Sequence, residues 1–400
     1  MTRQDIATLT SLRFFAAAMV VIGHSNGTFG LPQEWTRLFP SYQGVSFFFV
    51  LSGFILTLRY PRLKSFEESR RFLVARFARI WPLHAVAFFS LFWALDWVPH
   101  YLSTPEGSAA AVLNLSLLQA WSPYTCYNMS YNAVSWSISV EAFFYVAFIG
   151  LVQLRDRHWR LLPIVGLVPA IALIWLANSL NLPVVDRHSA SLDTVLYVNP
   201  LARLFEFTLG MSAAVLFERF SPMAPKGLFL GTGLELAGVA LFGLSLTLNT
   251  EFYIKHYPGH LLPASLGFWL ERSGEAPIFA VIIMIFAAQK GVLSRVLSQR
   301  LYVVAGEISF AIYMLHQIIQ SYILRSSGLP HSMAFALFIL LTIWLSYLAW
   351  RYIETPARSA ILAWSRGEGC AAIVSNRAGA SDGADARRKR RDDGSVEIGC

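Results

Sequence analysis

Residues 9–22 read Leu-Thr-Ser-Leu-Arg-Phe-Phe-Ala-Ala-Ala-Met-Val-Val-Ile, a mostly apolar run that a single cation, Arg13, interrupts. A helix needs about 20 mostly apolar residues to cross the hydrocarbon core of a bilayer, and residues 8–27 have that length. A cleaved signal peptide also begins with an apolar stretch behind a cation. Because Arg13 lies inside the stretch and further apolar stretches follow, we interpret residues 8–27 as a first membrane helix that is retained.

The rest of the chain has the same character. Hydrophobic residues make up 55% of the 400 residues and charged residues only 14%, whereas soluble domains carry about 25% charged residues. This composition excludes a disordered, a collagen-like or a disulfide-stapled protein, and its apolar content exceeds what one soluble core can bury. We therefore predict an all-α fold, a polytopic helical bundle that is integral to the membrane.

Apolar stretches of about the length that spans a bilayer recur along the sequence. Ten are predicted, at residues 8–27, 43–60, 81–99, 136–154, 160–178, 200–217, 228–249, 274–289, 302–323 and 333–352. No internal repeat of the kind that builds many transporters is visible. Residues 1–360 form one predicted transmembrane domain, and residues 361–400, which are small, polar and charged without periodicity, form a predicted disordered tail.

The distribution of Lys and Arg residues predicts the orientation. Of the 32 in the chain, 25 fall on one side of the predicted spans and 5 on the other, and such cations are enriched in cytoplasmic loops. Both termini are therefore predicted to be cytoplasmic. Since this bias accounts for the net charge of +8, we expect the lipid bilayer as a partner and no nucleic acid. The one dense basic run, residues 387–391, belongs to the tail.

Cysteine and histidine spacings do not indicate a metal site. Cys126, Cys370 and Cys400 lie far apart, without the paired spacing of a zinc site or a disulfide framework. His256 and His260 have a metal-like spacing, but the intervening Pro-Gly breaks the helix that would align the two imidazoles. No metal is therefore expected.

Charged residues inside the predicted spans need a reason, since a charge at mid-membrane costs at least about 2.5–3.5 kcal/mol. Arg13 and His24 lie in the first span, and their separation on a helix is about 20° around the axis and about 16 Å along it. They share one stripe at different depths. One interpretation is that the two residues belong to a functional site. The other is that Arg13 extends to the cytoplasmic surface and His24 caps the outer end of the helix.

The fourth predicted span carries a carboxylate. Ser137, Glu141 and Tyr145 follow one another at every fourth position and therefore share one helix face. A carboxylate at this depth must meet a cation, a proton or water. Two interpretations stay open: a functional group, or a structural ion pair with Arg13 or Arg203.

Two further spans carry polar residues at helical spacing. In the ninth, Tyr313 and His316 share a stripe with Ser309. In the sixth, Arg203 and Glu206 are three residues apart, a spacing at which opposite charges on a helix can neutralise each other.

Arg76 and Arg79 precede the third predicted span, in the sequence Arg-Phe-Ala-Arg-Ile-Trp-Pro. Cations in this position commonly contact lipid headgroups on the cytoplasmic side. Two cations about one helical turn apart also suit the phosphate groups of a polyanionic cofactor. Both interpretations stay open.

Seven segments of the sequence, in this order, resemble the acyltransferase 3 family of membrane-bound O-acyltransferases, over about residues 8–358. The matching segments are residues 11–24 with Arg13-(ten residues)-His24, residues 44–54, Arg76-x-x-Arg79, the Trp-Ser-x-Ser-x-Glu stretch that ends at Glu141, residues 203–207, residues 309–316 and Glu354-Thr355-Pro356. The sequence departs from the family pattern directly after Glu141, where members usually have a second acidic residue and this chain has Ala142. The tail has no counterpart in the family.

The resemblance implies transfer of an acyl group, usually acetyl from acetyl-CoA, to a hydroxyl of an extracytoplasmic glycan or lipid-linked sugar. It implies a multi-pass enzyme in the cytoplasmic (inner) membrane of a bacterium. Acetyl-CoA or another acyl-CoA is then the donor substrate, and no metal takes part.

The chemistry of the candidate residues agrees with such a reaction. A neutral imidazole within reach of a sugar hydroxyl can remove its proton as the thioester carbonyl is attacked. We expect His24 to be this base and Glu141 to orient it, as the third member of a catalytic triad does. The further candidates at the site are Ser137, Tyr145, Tyr313, His316 and Glu354.

The arginines are the expected partners of the donor. Arg13 and Arg203 are candidates to bind the thioester carbonyl or to stabilise the developing oxyanion. Arg13, about 16 Å from His24 along the helix, also suits the pantetheine arm or the phosphates. Arg76 and Arg79 are expected to hold the CoA phosphates on the cytoplasmic side.

Other functions stay open at this point. The same chemistry can modify a membrane lipid, a peptidoglycan sugar or a small secreted metabolite. A transporter or flippase without acyl transfer would show broken helices and inverted repeats, and neither is visible. A non-catalytic sensor or scaffold would leave Arg13, His24 and Glu141 without a role. The sequence does not indicate an oligomeric state.

Overall fold

The computed structural model of the chain describes residues 6–32, 40–221, 227–256 and 263–366, without the side chains of residues 249–256. In these ranges the regular structure is helical and includes no strand. The prediction of an all-α polytopic membrane protein is therefore confirmed. The predicted basic run and His260 lie outside the described residues.

Long helices alternate with short ones along the chain. The α-helices of the described ranges are, in chain order, α1 (Ala7–Phe29), α2 (Ser41–Arg59), α3 (Phe66–Ala94), α4 (Trp97–Leu102), α5 (Pro105–Leu115), α6 (Thr125–Asn128), α7 (Trp136–Leu151), α8 (Leu162–Ser179), α9 (Leu204–Phe220), α10 (Leu228–His256), α11 (Ala264–Ser273), α12 (Ala276–Ala287), α13 (Val292–Leu297), α14 (Arg300–Ser326), α15 (His331–Ala349) and α16 (Thr355–Ser365). Two π-helices, Asp193–Val198 and Trp350–Glu354, precede α9 and α16. Helix α16 extends past the domain boundary predicted at residue 360.

Eight helices in the described ranges are long and apolar enough to cross a membrane. The predicted spans at 200–217 and 274–289 instead contain helices that are shorter, α9 with 17 residues and α12 with 12 residues. The total of ten spans and the cytoplasmic position of both termini therefore stay predictions.

The third predicted span begins at residue 81, but the helix that contains it begins fifteen residues earlier. Helix α3 starts at Phe66, where the Ser65 side chain accepts a hydrogen bond from the Glu68 backbone and the Glu68 carboxylate accepts one from the Ser65 backbone. This capping box starts the helix well before its apolar part. Arg76 and Arg79 consequently lie inside the helix rather than in a loop before it, which fixes their position relative to the bundle.

Close helix contacts hold the centre of the bundle together. Helix α2 crosses α9 at two glycines: a Cβ atom on Gly53 would collide with the Phe207 carbonyl, and one on Gly210 with the Val50 carbonyl. Such glycines allow helix backbones to approach closely in a membrane. The contact brings α9 against the face of α2 that is turned to the interior.

Helices α1 and α14 run side by side in the same direction. The Ser11 hydroxyl donates to the Leu297 carbonyl, just before α14, at 2.6 Å, and His24 meets His316 further along both helices. The polar stripes of the first and ninth predicted spans therefore face each other in the interior of the bundle.

Candidate active site

His24 on α1 and His316 on α14 form a hydrogen-bonded imidazole pair. Their ring planes are 5° apart, and Nδ1 of His24 lies 2.9 Å from Nε2 of His316. His316 is fully buried, whereas His24 is partly exposed. The structure thus places a second imidazole, and not a carboxylate, against the predicted base.

The hydrogen bonds around this pair assign its tautomers. Nδ1 of His316 lies 2.7 Å from the Tyr313 carbonyl oxygen, which can only accept, so Nδ1 of His316 carries the proton. In a neutral ring Nε2 of His316 then accepts the hydrogen bond from Nδ1–H of His24. Nε2 of His24 is left without a proton, which is the state that a general base requires.

Two glutamines of α14 complete the surroundings of His24. The Gln320 amide donates to the His24 carbonyl at 3.0 Å and to the Thr28 hydroxyl at 2.5 Å, and the Gln317 amide lies 3.4 Å from Nδ1 of His24. The Gln320 amide thereby fixes the end of α1 to α14. Sequence reasoning missed both, although Gln320 continues the stripe of His316 at a spacing of four.

Glu141 does not orient His24 in the structure. Its carboxylate accepts hydrogen bonds from the hydroxyls of Tyr145, at 2.5 Å, and Ser52, at 3.4 Å, and it interacts electrostatically with Arg13. The predicted triad therefore does not form, because the interior face of α7 directs Glu141 towards the arginines. The predicted shared face of Glu141 and Tyr145 is present.

Tyr313 joins the imidazole pair to a cavity. Its hydroxyl forms a hydrogen bond of 2.7 Å with the Ser137 hydroxyl and donates to the Val134 carbonyl at 3.0 Å. Its backbone carbonyl accepts the hydrogen bond from Nδ1 of His316. The Tyr313 ring stands edge-on to Phe48 with 6.2 Å between the centroids. Tyr313 thus touches both the pair and the cavity.

The cavity has a volume of about 120 Å³. Its polar lining consists of Arg13, Ser52, Arg76, Arg79, Ser137, Glu141, Tyr145 and Tyr313. A second cavity of about 590 Å³ shares Arg13, Arg76 and Arg79 with it and adds Arg59 and Arg358. Five guanidinium groups therefore line the larger cavity, together with the carboxylates of Glu307 and Glu354.

Arg76 and Arg79 differ in how they are held. Arg79 forms an ion pair with the buried Glu354 and lies over the Phe310 ring at 5.4 Å. Arg76 donates to the Tyr60 hydroxyl at 3.4 Å, and its buried Nε atom has no hydrogen-bond partner. A buried donor without a partner is costly, and in Arg76 this donor belongs to a residue that lines both cavities.

Arg203 lies apart from these residues. It is fully buried, forms an ion pair of 2.9 Å with Glu206 and donates to the Ser273 hydroxyl at 3.0 Å. The rings of Phe49 and Tyr197 lie on either side, each 5.4 Å from the guanidinium carbon. Arg203 lines neither of the two cavities, and its contact with the donor stays a prediction.

Membrane-length helices around a buried polar site define an integral membrane protein with an internal cavity. A family profile described as an acyltransferase domain matches residues 6–351, most of the chain. The chain therefore belongs to the acyltransferase 3 family, and the resemblance found in its motifs is confirmed. It is a membrane acyltransferase.

Relatives of known name agree with this class. The chain is 27% identical to acyltransferase MdmB of Streptomyces mycarofaciens over 81% of both chains. It is 24% identical to O-acetyltransferase OatA of Staphylococcus aureus over 88% of this chain and 57% of that relative, of which it thus spans little more than half. It is 24% identical to nodulation protein 10 of Rhizobium leguminosarum bv. viciae, over 86% and 91% of the two chains. No solved structure matches the chain.

Proposed function

We propose that this protein is an O-acyltransferase of the bacterial cytoplasmic (inner) membrane. It takes an acyl group, in the first place acetyl, from acyl-CoA at the cytoplasmic face and transfers it to a hydroxyl of an extracytoplasmic glycan or lipid-linked sugar. The proposal rests on the arrangement along α1. The imidazole of His24, which has an unprotonated nitrogen, and the arginine-rich cavity lined by Arg13 lie at different depths of the predicted membrane. Similarity to OatA, whose name states O-acetyl transfer, supports a hydroxyl as the acceptor.

The arginine-rich cavity suits the donor. CoA carries several phosphate charges, and guanidinium groups bind phosphate oxygens with paired hydrogen bonds. The cavity of about 590 Å³ presents five arginines, and Arg76 holds a buried N–H without a partner. Arg76, with Arg13 beside it, would therefore bind the phosphates or the pantetheine arm, while Glu354 holds Arg79.

The imidazole pair suits the proton transfer. Nε2 of His24 takes the proton of the acceptor hydroxyl while the oxygen attacks the thioester carbonyl carbon. The carbon–sulfur bond breaks, and the imidazolium returns the proton to the leaving thiolate. His316 accepts the hydrogen bond from Nδ1–H of His24 throughout, and the Tyr313 carbonyl holds His316. No net proton is gained or lost by the protein.

The acyl group reaches His24 past two aromatic rings. Tyr313 and Phe48 both line the cavity that contains Arg13 and Glu141, and Tyr313 also contacts His316. A thioester that extends from the arginines along this cavity meets Tyr313 before it meets the imidazoles. The hydroxyl acceptor then approaches His24 from the opposite side of the membrane.

Mass spectrometry of surface glycans and lipids from cells with and without the gene tests the proposal. We expect one class of molecule to lose the mass of one acyl group, and this mass identifies donor and acceptor together. Complementation with His24→Ala, at equal membrane insertion, should not restore the mass. Normal acylation by His24→Ala would show that His24 is not the base, and an unchanged set of glycans and lipids would contradict the proposed acceptor class.

A further inference from the structure

Three segments at the end of the bundle that we predict to be extracytoplasmic bring a carboxylate, a thiol and an imidazole together. Glu106 lies in the first turn of α5, Cys126 in α6, and His188 in the connection before the π-helix. One ligand atom of each lies within 4.8 Å of those of the other two. None of these residues has a part in the proposed acyl transfer.

Hydrogen bonds hold the three segments in place. The Tyr101 hydroxyl shares its one proton between the Glu106 carboxylate, at 3.2 Å, and the Cys126 carbonyl, at 3.1 Å. The Cys126 backbone in turn donates to the Arg187 carbonyl at 3.1 Å. The residues that carry the three side chains are thus fixed relative to one another by bonds that do not involve the side chains of Cys126 and His188.

We propose that Glu106, Cys126 and His188 bind a divalent transition metal, in the first place Zn²⁺. Thiolate, imidazole and carboxylate are the three ligand types that zinc takes from proteins, and a water molecule would complete its tetrahedron. The pattern of the sequence does not indicate this site, because its ligands are distant in the chain and have no local spacing.

The side chains can close to zinc geometry. Zinc bonds of about 2.0–2.3 Å place ligand atoms about 3.5 Å apart in a tetrahedron, so the cluster must contract by about 1 Å. His188 is exposed, and rotation of its side chain permits this. Arg187 lies 3.8 Å from the Glu106 carboxylate with 69% of its side chain exposed, and displacing so exposed an ion pair costs little.

The bound metal would brace the outer end of the site. The connection that holds His188 continues into the π-helix Asp193–Val198, whose Tyr197 ring contacts Trp136 at the start of α7, 4.7 Å between centroids. A metal that joins α5, α6 and this connection therefore stabilises the scaffold from which α7 enters the membrane.

Metal content of the purified full-length protein in nanodiscs tests the site. After treatment with a chelator and dialysis against Zn²⁺, we expect one more zinc per chain in the wild type than in Cys126→Ser. Glu106→Gln and His188→Ala should bind zinc at least tenfold more weakly. His100→Ala, which removes an exposed histidine of the neighbouring α4, is the matched control and should keep the full content.

Cobalt identifies the thiolate ligand. Co²⁺ in place of Zn²⁺ should give a thiolate-to-metal charge-transfer band in the wild type and in His100→Ala, and no such band in Cys126→Ser. Equal zinc content in the wild type and Cys126→Ser would mean that metal binds elsewhere, and no zinc in either would mean that the cluster is not a site; both outcomes overturn the proposal. If Cys126→Ser does not fold, the same comparison is made with Glu106→Gln and His188→Ala.

Discussion

Nδ1 of His24 lies 2.9 Å from Nε2 of His316, across two helices that stand at opposite ends of the sequence. The Tyr313 carbonyl, 2.7 Å from Nδ1 of His316, closes this chain of hydrogen bonds. In a catalytic triad a carboxylate stabilises the imidazolium by its charge. In the proposed mechanism His316, a neutral imidazole, and the Tyr313 backbone dipole take this role, and the negative charge of Glu141 interacts with Arg13 instead.

The imidazole pair predicts a positioning role for His316. His316→Ala removes the acceptor for Nδ1–H of His24, so we expect kcat to fall about 10–100-fold with little change in the KM of the acyl-CoA. His316→Gln offers an amide oxygen in its place and should restore part of kcat. The measurement is acyl transfer in proteoliposomes as a function of pH.

A merely structural role for His316 would give a different result. Both variants would then lose thermal stability together with activity, and the pH profile of the remaining activity would be that of the wild type. Tyr322→Phe, a change at a half-exposed position further along α14, is the control and should leave kcat unchanged.

The residue types of the site could be predicted from the sequence, but their pairing could not. Helical spacing placed Arg13 and His24 on one stripe, and Tyr313 and His316 on another, because helix geometry is local. The choice between Glu141 and His316 as the partner of His24 depends on how α1 packs against α7 and α14, which no local spacing determines. Hydropathy likewise missed the start of α3, because charged residues occupy the first turns after Ser65.

Arg76 is expected to contribute directly to the binding of CoA. Because its Nε atom is buried without a partner, Arg76→Ala should raise the Kd of CoA about tenfold, which removes about 1.4 kcal/mol of the thermal protection by saturating CoA. Arg160→Ala, a change to an exposed arginine outside both cavities, is the control. Unchanged protection in Arg76→Ala would contradict a role in donor binding.

Arg79 is expected to stabilise the fold in addition to contributing positive charge to the cavity. Its ion pair with Glu354, which is 3% exposed, means that Arg79→Ala leaves a buried carboxylate unpaired, and we expect a loss of about 3–5 kcal/mol of stability. The double variant Arg79→Ala/Glu354→Gln removes that charge and should recover most of the loss in a thermal unfolding assay. Equal stability of the single and double variants would show that the ion pair does not stabilise the fold.

Arg203 should affect stability and leave donor binding intact. Its guanidinium is fully buried and neutralised by Glu206, and breaking a buried pair costs about 3–5 kcal/mol. Arg203→Ala is therefore expected to lower the thermal midpoint and the yield of folded protein, whereas the folded fraction should bind CoA with the Kd of the wild type. Arg203→Met/Glu206→Gln, which removes both charges at similar volume, should be more stable than Arg203→Ala. If Arg203→Ala instead raised the Kd of CoA as Arg76→Ala does, Arg203 would contribute to donor binding. Such a result would require a rearrangement of α9 that separates Arg203 from Glu206.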